Sequence, residues 1–278
     1  MSRIQDRFAA LKQAGRKALI PYLTAGDPNP DFTVPLMHAM VKAGADILEL
    51  GVPFSDPMAE GPVIQHAMER ALEHHLGLHH VIDMVAAFRR EDTTTPVLLM
   101  GYLNPVEVMG YENFVNRASA AGIDGVLLVD LPPEEAEDLL KYARPKGLDV
   151  VFLVAPTTTE ARMAAIARSS SGFVYYVSLK GVTGAGHLDT AAVQERVAKI
   201  KSMTALPVGV GFGIKDGDSA KTIAAVADAV VVGSALVRLV ETNIPSLDKT
   251  RSAVSGLIGE MREAMDGDLL RTAAKVQS

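Results

Sequence analysis

Short, continuous apolar runs alternate with longer amphipathic stretches along the whole chain. The runs are ALIPYLT (18–24), DILELG (46–51), PVLLMG (96–101), GVLLVD (125–130), DVVFLVA (149–155), FVYYVS (173–178), PVGVGF (207–212) and DAVVVGS (228–234). They lack the strict in–out alternation of a half-exposed strand, which is the pattern of parallel strands covered on both faces. Between them, FTVPLMHAMVKAG, PEEAEDLLKYARPKG, EARMAAIARSS and TAAVQERVAKIKS place apolar residues at i, i+3 and i+4, the stripe of a surface helix. Pro132, Pro133, Glu134 and Glu135 suit a first helical turn, and Gly44, Gly122 and Gly147 suit helix ends. Ile4, Phe8 and Leu11 share one stripe before Gly15, so the basic N-terminal stretch is expected to be a structural helix rather than a transit peptide.

Eight strands, each followed by a helical pattern, with no linker or composition break, predict a single (β/α)8 TIM barrel over residues 1–278. An open doubly wound sheet is the alternative arrangement of the same elements. The longest excursion follows the second run, from Gly51 to about Thr95, and has room for helices at about 62–74 and 78–90. Most βα loops are roughly 2–6 residues, so this insertion is expected to serve the site.

Composition narrows the classes of function. The net charge of −6 and the lack of a basic stripe with interleaved aromatics argue against a nucleic-acid partner. Apolar stretches are broken by charges well before the roughly 18 residues that a membrane span needs. The chain has no cysteine, which removes disulfides, thiolate metal sites and thiol nucleophiles and is compatible with a reducing cytoplasm.

In a barrel, active sites lie at the C-terminal ends of the strands. There the second run carries Glu49, a carboxylate inside an apolar strand, followed by a loop with Asp56 and Glu60. Held out of water, Glu49 would have a raised pKa and suit acid–base work; its structural alternative is a hydrogen-bonded strand-end carboxylate. Asp56 and Glu60 read by themselves as solvated loop acids. The fourth run ends in Asp130. The last three loops collect Gly181, Gly184 and Gly186, then Gly211 and Gly213, then Gly233 with Ser234. Glycines at helix entrances let backbone N–H groups approach an anion, as at barrel phosphate sites. GVTGAG has the wrong spacing and setting for a dinucleotide fingerprint and reads better as a lid containing Thr183. EHHLGLHH (73–80) invites a metal reading, but Gly77 weakens the helix that His75 and His79 would need; a solvated helix junction is the expectation. Lys180, alone in the lid, is uninformative.

Taken together, PYLTAGDP (21–28), ELGVPFSDPMAEGPVIQ (49–65), YLNPVEVMGYENF (102–114), VLLVDLPPEE (126–135), YYVSLKGVTGAG (175–186), VGVGFGI (208–214) and VVGSA (231–235) resemble the tryptophan synthase α chain family nearly end to end. The resemblance implies a lyase that cleaves indole-3-glycerol phosphate to indole and glyceraldehyde 3-phosphate by a retro-aldol reaction, without a metal or cofactor in this chain. Pyridoxal phosphate is expected only in a partner β chain, within a cytoplasmic α2β2 tetramer. Glu49 and Glu60 take the catalytic positions, although family members commonly have aspartate at the second. Gly184, Phe212, Gly213, Gly233 and Ser234 are the implied phosphate contacts. Tyr22, Leu99, Leu127, Tyr175 and Thr183 are the implied pocket contacts. Pro53, Asp56 and Asn104 fall on the surface that meets the β chain. Two other readings compete: another phosphate-binding barrel such as an indoleglycerol-phosphate synthase, and a non-catalytic activator of a β-like subunit. The first wants a strand-end lysine or cysteine, and no candidate strand has one.

Overall fold

The computed structural model of the chain describes residues 2–178, 190–211 and 213–276, with side chains as far as residue 267. The apolar runs become parallel strands: β1 (Ala18–Thr24), β2 (Leu48–Gly51), β3 (Val97–Gly101), β4 (Gly125–Leu128), β5 (Asp149–Val150), β6 (Leu153–Val154), β7 (Val174–Val177), β8 (Val208–Gly211) and β9 (Ala229–Val232). Their order in the sheet is β5-β4-β3-β2-β1-β9-β8-β7-β6. The two edges are halves of one run: Val151 N–H donates to Val126 O on one side, and Phe152 O accepts from Tyr175 N–H on the other. The sheet therefore closes into a barrel of eight staves, not an open doubly wound sheet, and closure leaves no unpaired edge.

Around it run α1 (Arg3–Gln13), α2 (Pro30–Lys42), α3 (Pro62–Leu72), α4 (Leu78–Phe88), α5 (Leu103–Met109), α6 (Tyr111–Ala121), α7 (Glu137–Lys146), α8 (Glu160–Ser169), α9 (Thr190–Lys201), α10 (Gly217–Ala224), α11 (Ser234–Asn243) and α12 (Leu247–Val276). α3 and α4 fill the insertion after β2, close to their expected bounds. No helix among the described residues is long and apolar enough to cross a membrane.

Strand parity sorts the side chains into two cores. Outward residues such as Leu48, Leu50, Leu99 and Val126 pack under the helices. Inward residues Ile20, Ile47, Leu98, Leu127, Val151, Phe173 and Val231 fill the barrel, and α1 closes its N-terminal end with Ile4, Phe8 and Leu11. Each fully buried aliphatic side chain contributes about 1.5–3 kcal/mol. α1 is capped by Ser2, whose Oγ accepts from Gln5 N–H at 3.3 Å.

That closed end is also a ring of paired acids. Asp46 accepts from Leu19 N–H at 2.9 Å, from Arg7 at 2.5 Å and from Arg262 at 2.8 Å. Asp124 accepts from Val97 N–H, Arg3 and Arg89 at 2.8, 2.8 and 2.7 Å. Asp228 accepts from Val208 N–H at 3.0 Å and from Lys201 at 2.9 Å. Its burial pulls the pKa up, but these hydrogen bonds and the charges of Lys201 and Lys17 hold it below the usual carboxylate value. Each of these three aspartates pins one strand to its neighbour and to a cation outside the barrel.

Candidate active site

The opposite end of the barrel encloses a cavity of about 330 Å3. Parity on β2 puts Glu49 on the inward row one step above Ile47, and the same parity brings Tyr22, Met100 and Tyr175 to the cavity wall. Tyr22 stands beside Glu49 in the β1–β2 ladder. Two glycines make room for the tyrosines: a Cβ at Gly51 would lie 2.1 Å from the Tyr22 hydroxyl, and one at Gly211 would lie 2.2 Å from that of Tyr175. Gly211, expected in an anion cradle, is therefore needed here for packing.

Glu49 is 1 % exposed, and among the described residues its Oε1 has no hydrogen-bond partner. Burial, and then the charge of Glu60, push its pKa up to about 8. Glu60 lies half-buried in a loop whose other residues from Ser55 to Gly61 are mostly exposed, and burial pushes its pKa up to about 7. Burial foremost also drives the phenols of Tyr22 and Tyr175 well above their ordinary value, so both stay neutral hydrogen-bonding groups. Two carboxyls that both titrate near neutrality, in one cavity, can exchange protons with a ligand at physiological pH.

The far side of the cavity is built for a different chemistry. Gly213 has φ +76°, a conformation that favours glycine. Gly233 is the N-cap of α11 and Ser234 its first residue, with no side chain among the described residues capping the terminus. The first N–H groups of a helix carry partial positive charge and suit an anion. All three residues line the cavity, as does Arg238, one helical turn beyond Ser234.

Most of the expected pocket residues thus converge: Glu49, Glu60, Tyr22, Tyr175, Gly213, Gly233 and Ser234. Leu127 lies in the inner core just beneath, while Val129, two residues on, reaches the cavity. Leu99 does not reach it. It points outward among Val52, Leu78 and Val126, and the neighbouring Met100 takes the pocket position, because successive strand residues face opposite ways. Thr183, Gly184 and Phe212 lie outside the described residues. Met100, Val129, Leu153, Ile64 and Arg238 were not singled out from the sequence; counting by twos from Glu49's level would have found the strand residues.

The partner-facing positions stand apart from the cavity. Asp56 and Asn104 are exposed, on the loop after β2 and on α5, whereas Pro53 is buried. The histidine segment serves local structure: His80 Nδ1 accepts from Gly77 N–H at 3.1 Å, and His74 Nε2 lies 3.0 Å from Pro28 O. No group of three or more metal-ligating side chains converges among the described residues.

A closed (β/α)8 barrel with two readily protonated carboxyls and an open helix terminus at its mouth defines an enzyme of the acid–base class. The chain belongs to the tryptophan synthase alpha chain family, whose model matches residues 8–266. It is 64% identical over 266 residues to the tryptophan synthase alpha chain of Thioalkalivibrio sulfidiphilus, covering 96% of this chain and 100% of that protein. Identity to the Methylococcus capsulatus protein of the same name is 58%, with the same coverage. Among solved structures, tryptophan synthase subunit alpha from Legionella pneumophila superposes with a TM-score of 0.89 at 46% identity, covering 96% of this chain and 99% of that one. The chain accordingly has the α-subunit role and the carbon–carbon lyase activity of that family, acting on indole-3-glycerol phosphate. A purely activating, non-catalytic role is not favoured.

Proposed function

We propose that Glu49 is the alternating acid and base of the lyase reaction and that Glu60 stabilises charge on the indole ring. The observation that carries this reading is the Glu49 carboxyl, buried in the cavity wall and, among the described residues, unpartnered at Oε1, where burial and then the charge of Glu60 push its pKa up to about 8. Such a group can deliver a proton to indole C3. The ring nitrogen then gains positive charge, and an ionised Glu60 beside its N–H lowers the energy of that intermediate. The Glu49 carboxylate next takes the proton from the glycerol hydroxyl on the carbon bonded to the ring. As that O–H proton leaves, a C=O forms, the C–C bond breaks, and its electron pair restores the aromatic ring. Indole and glyceraldehyde 3-phosphate result, and Glu49 is again protonated.

General acid–base assistance is typically worth about 10²–10⁴-fold. Glu49→Gln keeps the size of the side chain and removes the transferable proton. The test is release of glyceraldehyde 3-phosphate from indole-3-glycerol phosphate: turnover should fall by about 10³-fold with little change in substrate affinity, and a variant retaining most activity would sink the assignment. Glu60→Ala should cost more than about tenfold; a smaller loss would remove Glu60 from the ring-side role. We assign the substrate phosphate to the Gly213 turn and the α11 terminus at Gly233 and Ser234, completed by Gly184 and Phe212.

For the β chain, we propose the face formed by the loop after β2 and α5. Its support is the exposure of Met58 (86%), two residues from Asp56, and of Val108 (82%), four residues from Asn104, with the loop tied to the start of α5 where Ala59 N–H donates to the Tyr102 hydroxyl. Exposed apolar side chains grouped on one face mark an association surface. The proposed assembly is a cytoplasmic α2β2 tetramer whose pyridoxal phosphate belongs to the β chain.

A further inference from the structure

Glu60 poses a mechanical problem. It sits in a loop that is exposed at Ser55, Asp56, Met58, Ala59 and Gly61, yet its own side chain turns into the cavity. Hydrogen bonds within the loop are local, from Met58 N–H to Asp56 O at 2.8 Å and from Glu60 N–H to Pro57 O at 3.0 Å. Local turns of this kind shape a loop but do not fix it to the barrel.

Among the described residues, two side chains from outside the loop fasten it, one on each side of Glu60. The Tyr102 hydroxyl accepts from Ala59 N–H at 3.0 Å. Gln65 Nε2 donates to Glu60 O at 2.8 Å and to Pro57 O at 3.4 Å. Both anchors are themselves held. Tyr102 is buried at the entrance to α5, and its ring stacks on Phe54 at 4.9 Å and 22°. Gln65 stands in the first turn of α3, a helix tied down by Arg70, which pairs with Asp27 at 2.8 and 3.0 Å and with Glu241 at 3.2 Å.

We propose that Tyr102 and Gln65 are positioning residues that clamp the backbone around Glu60, at Ala59 N–H before it and at its own carbonyl, and so set where its carboxylate stands against the substrate ring. This rests on the reading that Glu60 acts on that ring. The clamp does not touch the substrate; it acts only through Glu60. A misplacement of about 1 Å can cost about 10²-fold where geometry is tight. Glutamate has one more rotatable bond than aspartate, so fixing its backbone matters more here than it would for the shorter acid.

The test is a double-mutant cycle in the full chain, read by glyceraldehyde 3-phosphate release, with amide hydrogen exchange at Ala59. Tyr102→Phe keeps the ring stack and removes the acceptor; Gln65→Met keeps length and removes the donor. Each should lower kcat about tenfold, or roughly 1.4 kcal/mol, with KM within about twofold. In a Glu60→Gln background the same changes should alter kcat less than about twofold, and Tyr102→Phe should speed exchange at Ala59. Equal loss in both backgrounds, or no loss beside Glu60, overturns the clamp. If Glu60→Gln alone left kcat unchanged, the assignment of Glu60 would fall, and with it the clamp's catalytic role, while Ala59 exchange would still show whether the loop is tethered.

Discussion

The two ends of the barrel treat buried carboxylates in opposite ways. At the closed end, Asp46 and Asp124 each accept from a strand N–H and from two arginines, and Asp228 from a strand N–H and lysines. At the open end Glu49 has an oxygen with no partner among the described residues, and the charge that acts on it is that of another acid, Glu60. A buried charge is tolerable when paired and hydrogen-bonded and costly when it is not. The closed end therefore converts acids into fasteners, and the open end keeps them reactive at the expense of stability. Asp149 is intermediate: burial raises its pKa even though Ser2, Ser171 and Gln5 hydrogen-bond to it.

The sharpest way to break this contrast is to remove one acid from each end. Glu49→Gln should abolish nearly all turnover, by about 10³-fold, without lowering the melting temperature. Asp124→Ala should do the reverse. It takes the carboxylate from Arg89, whose other contacts include Gly122 O, Asp92 O, Thr95 O and the Phe88 ring, and should cost about 3–5 kcal/mol in denaturant melts while the folded fraction keeps its kcat. If the closed-end variant lost kcat and kept its stability, the division of labour would be wrong.

The dependence on pH sharpens it further. The folded pKa of Glu49 is raised from 4.5 to about 8, so the folded state holds a proton that the unfolded chain has already released. Its contribution to stability is fully present below about pH 4.5, falls as pH rises through the window to about 8, and stays low above it. Glu49→Gln should therefore be more stable than the parent at pH 9, by a few kcal/mol, with the difference vanishing toward pH 4. Catalysis needs Glu49 protonated and Glu60 ionised, so kcat/KM should be bell-shaped, with apparent values for the pair near 7 and 8. A flat profile across that window would remove the acid–base assignment.

Smaller effects separate the two faces of β3. Leu99→Ala should cost about 2–5 kcal/mol of stability with KM unchanged, whereas Met100→Ala should raise KM. Smallest of all in stability is Gly233→Ala: a Cβ there meets nothing closer than 3.8 Å, so the fold should tolerate it within about 0.5 kcal/mol. Its effect should appear instead as a higher KM for the phosphorylated substrate.

Much of this was legible along the chain. Apolar runs and helical stripes marked every barrel strand, including the 149–155 run that the structure breaks into β5 and β6, because parallel strands covered on both faces must be continuously apolar. Glu49 stood out because it interrupts such a run. Glu60 did not stand out by residue type; in sequence it is a loop acid, and only the family resemblance singled it out. Leu99 was implied by the family resemblance alone; the structure turns it outward and gives the cavity Met100, because successive strand residues face opposite ways.

Fold class, strand number and the identity of the strand-borne acid were determined by the sequence itself, since periodicity and burial are properties of local segments. Tertiary structure alone decided the rest. It turned Glu60 inward and set Tyr102 and Gln65 on its two sides, brought Gly213 beside the α11 terminus, and gave the closed-end aspartates their cations. Those partners are far apart in the chain, as Arg262 is from Asp46, and only barrel closure brings them within reach. The same closure buries Glu49, leaves its Oε1 without a partner among the described residues, and raises its pKa.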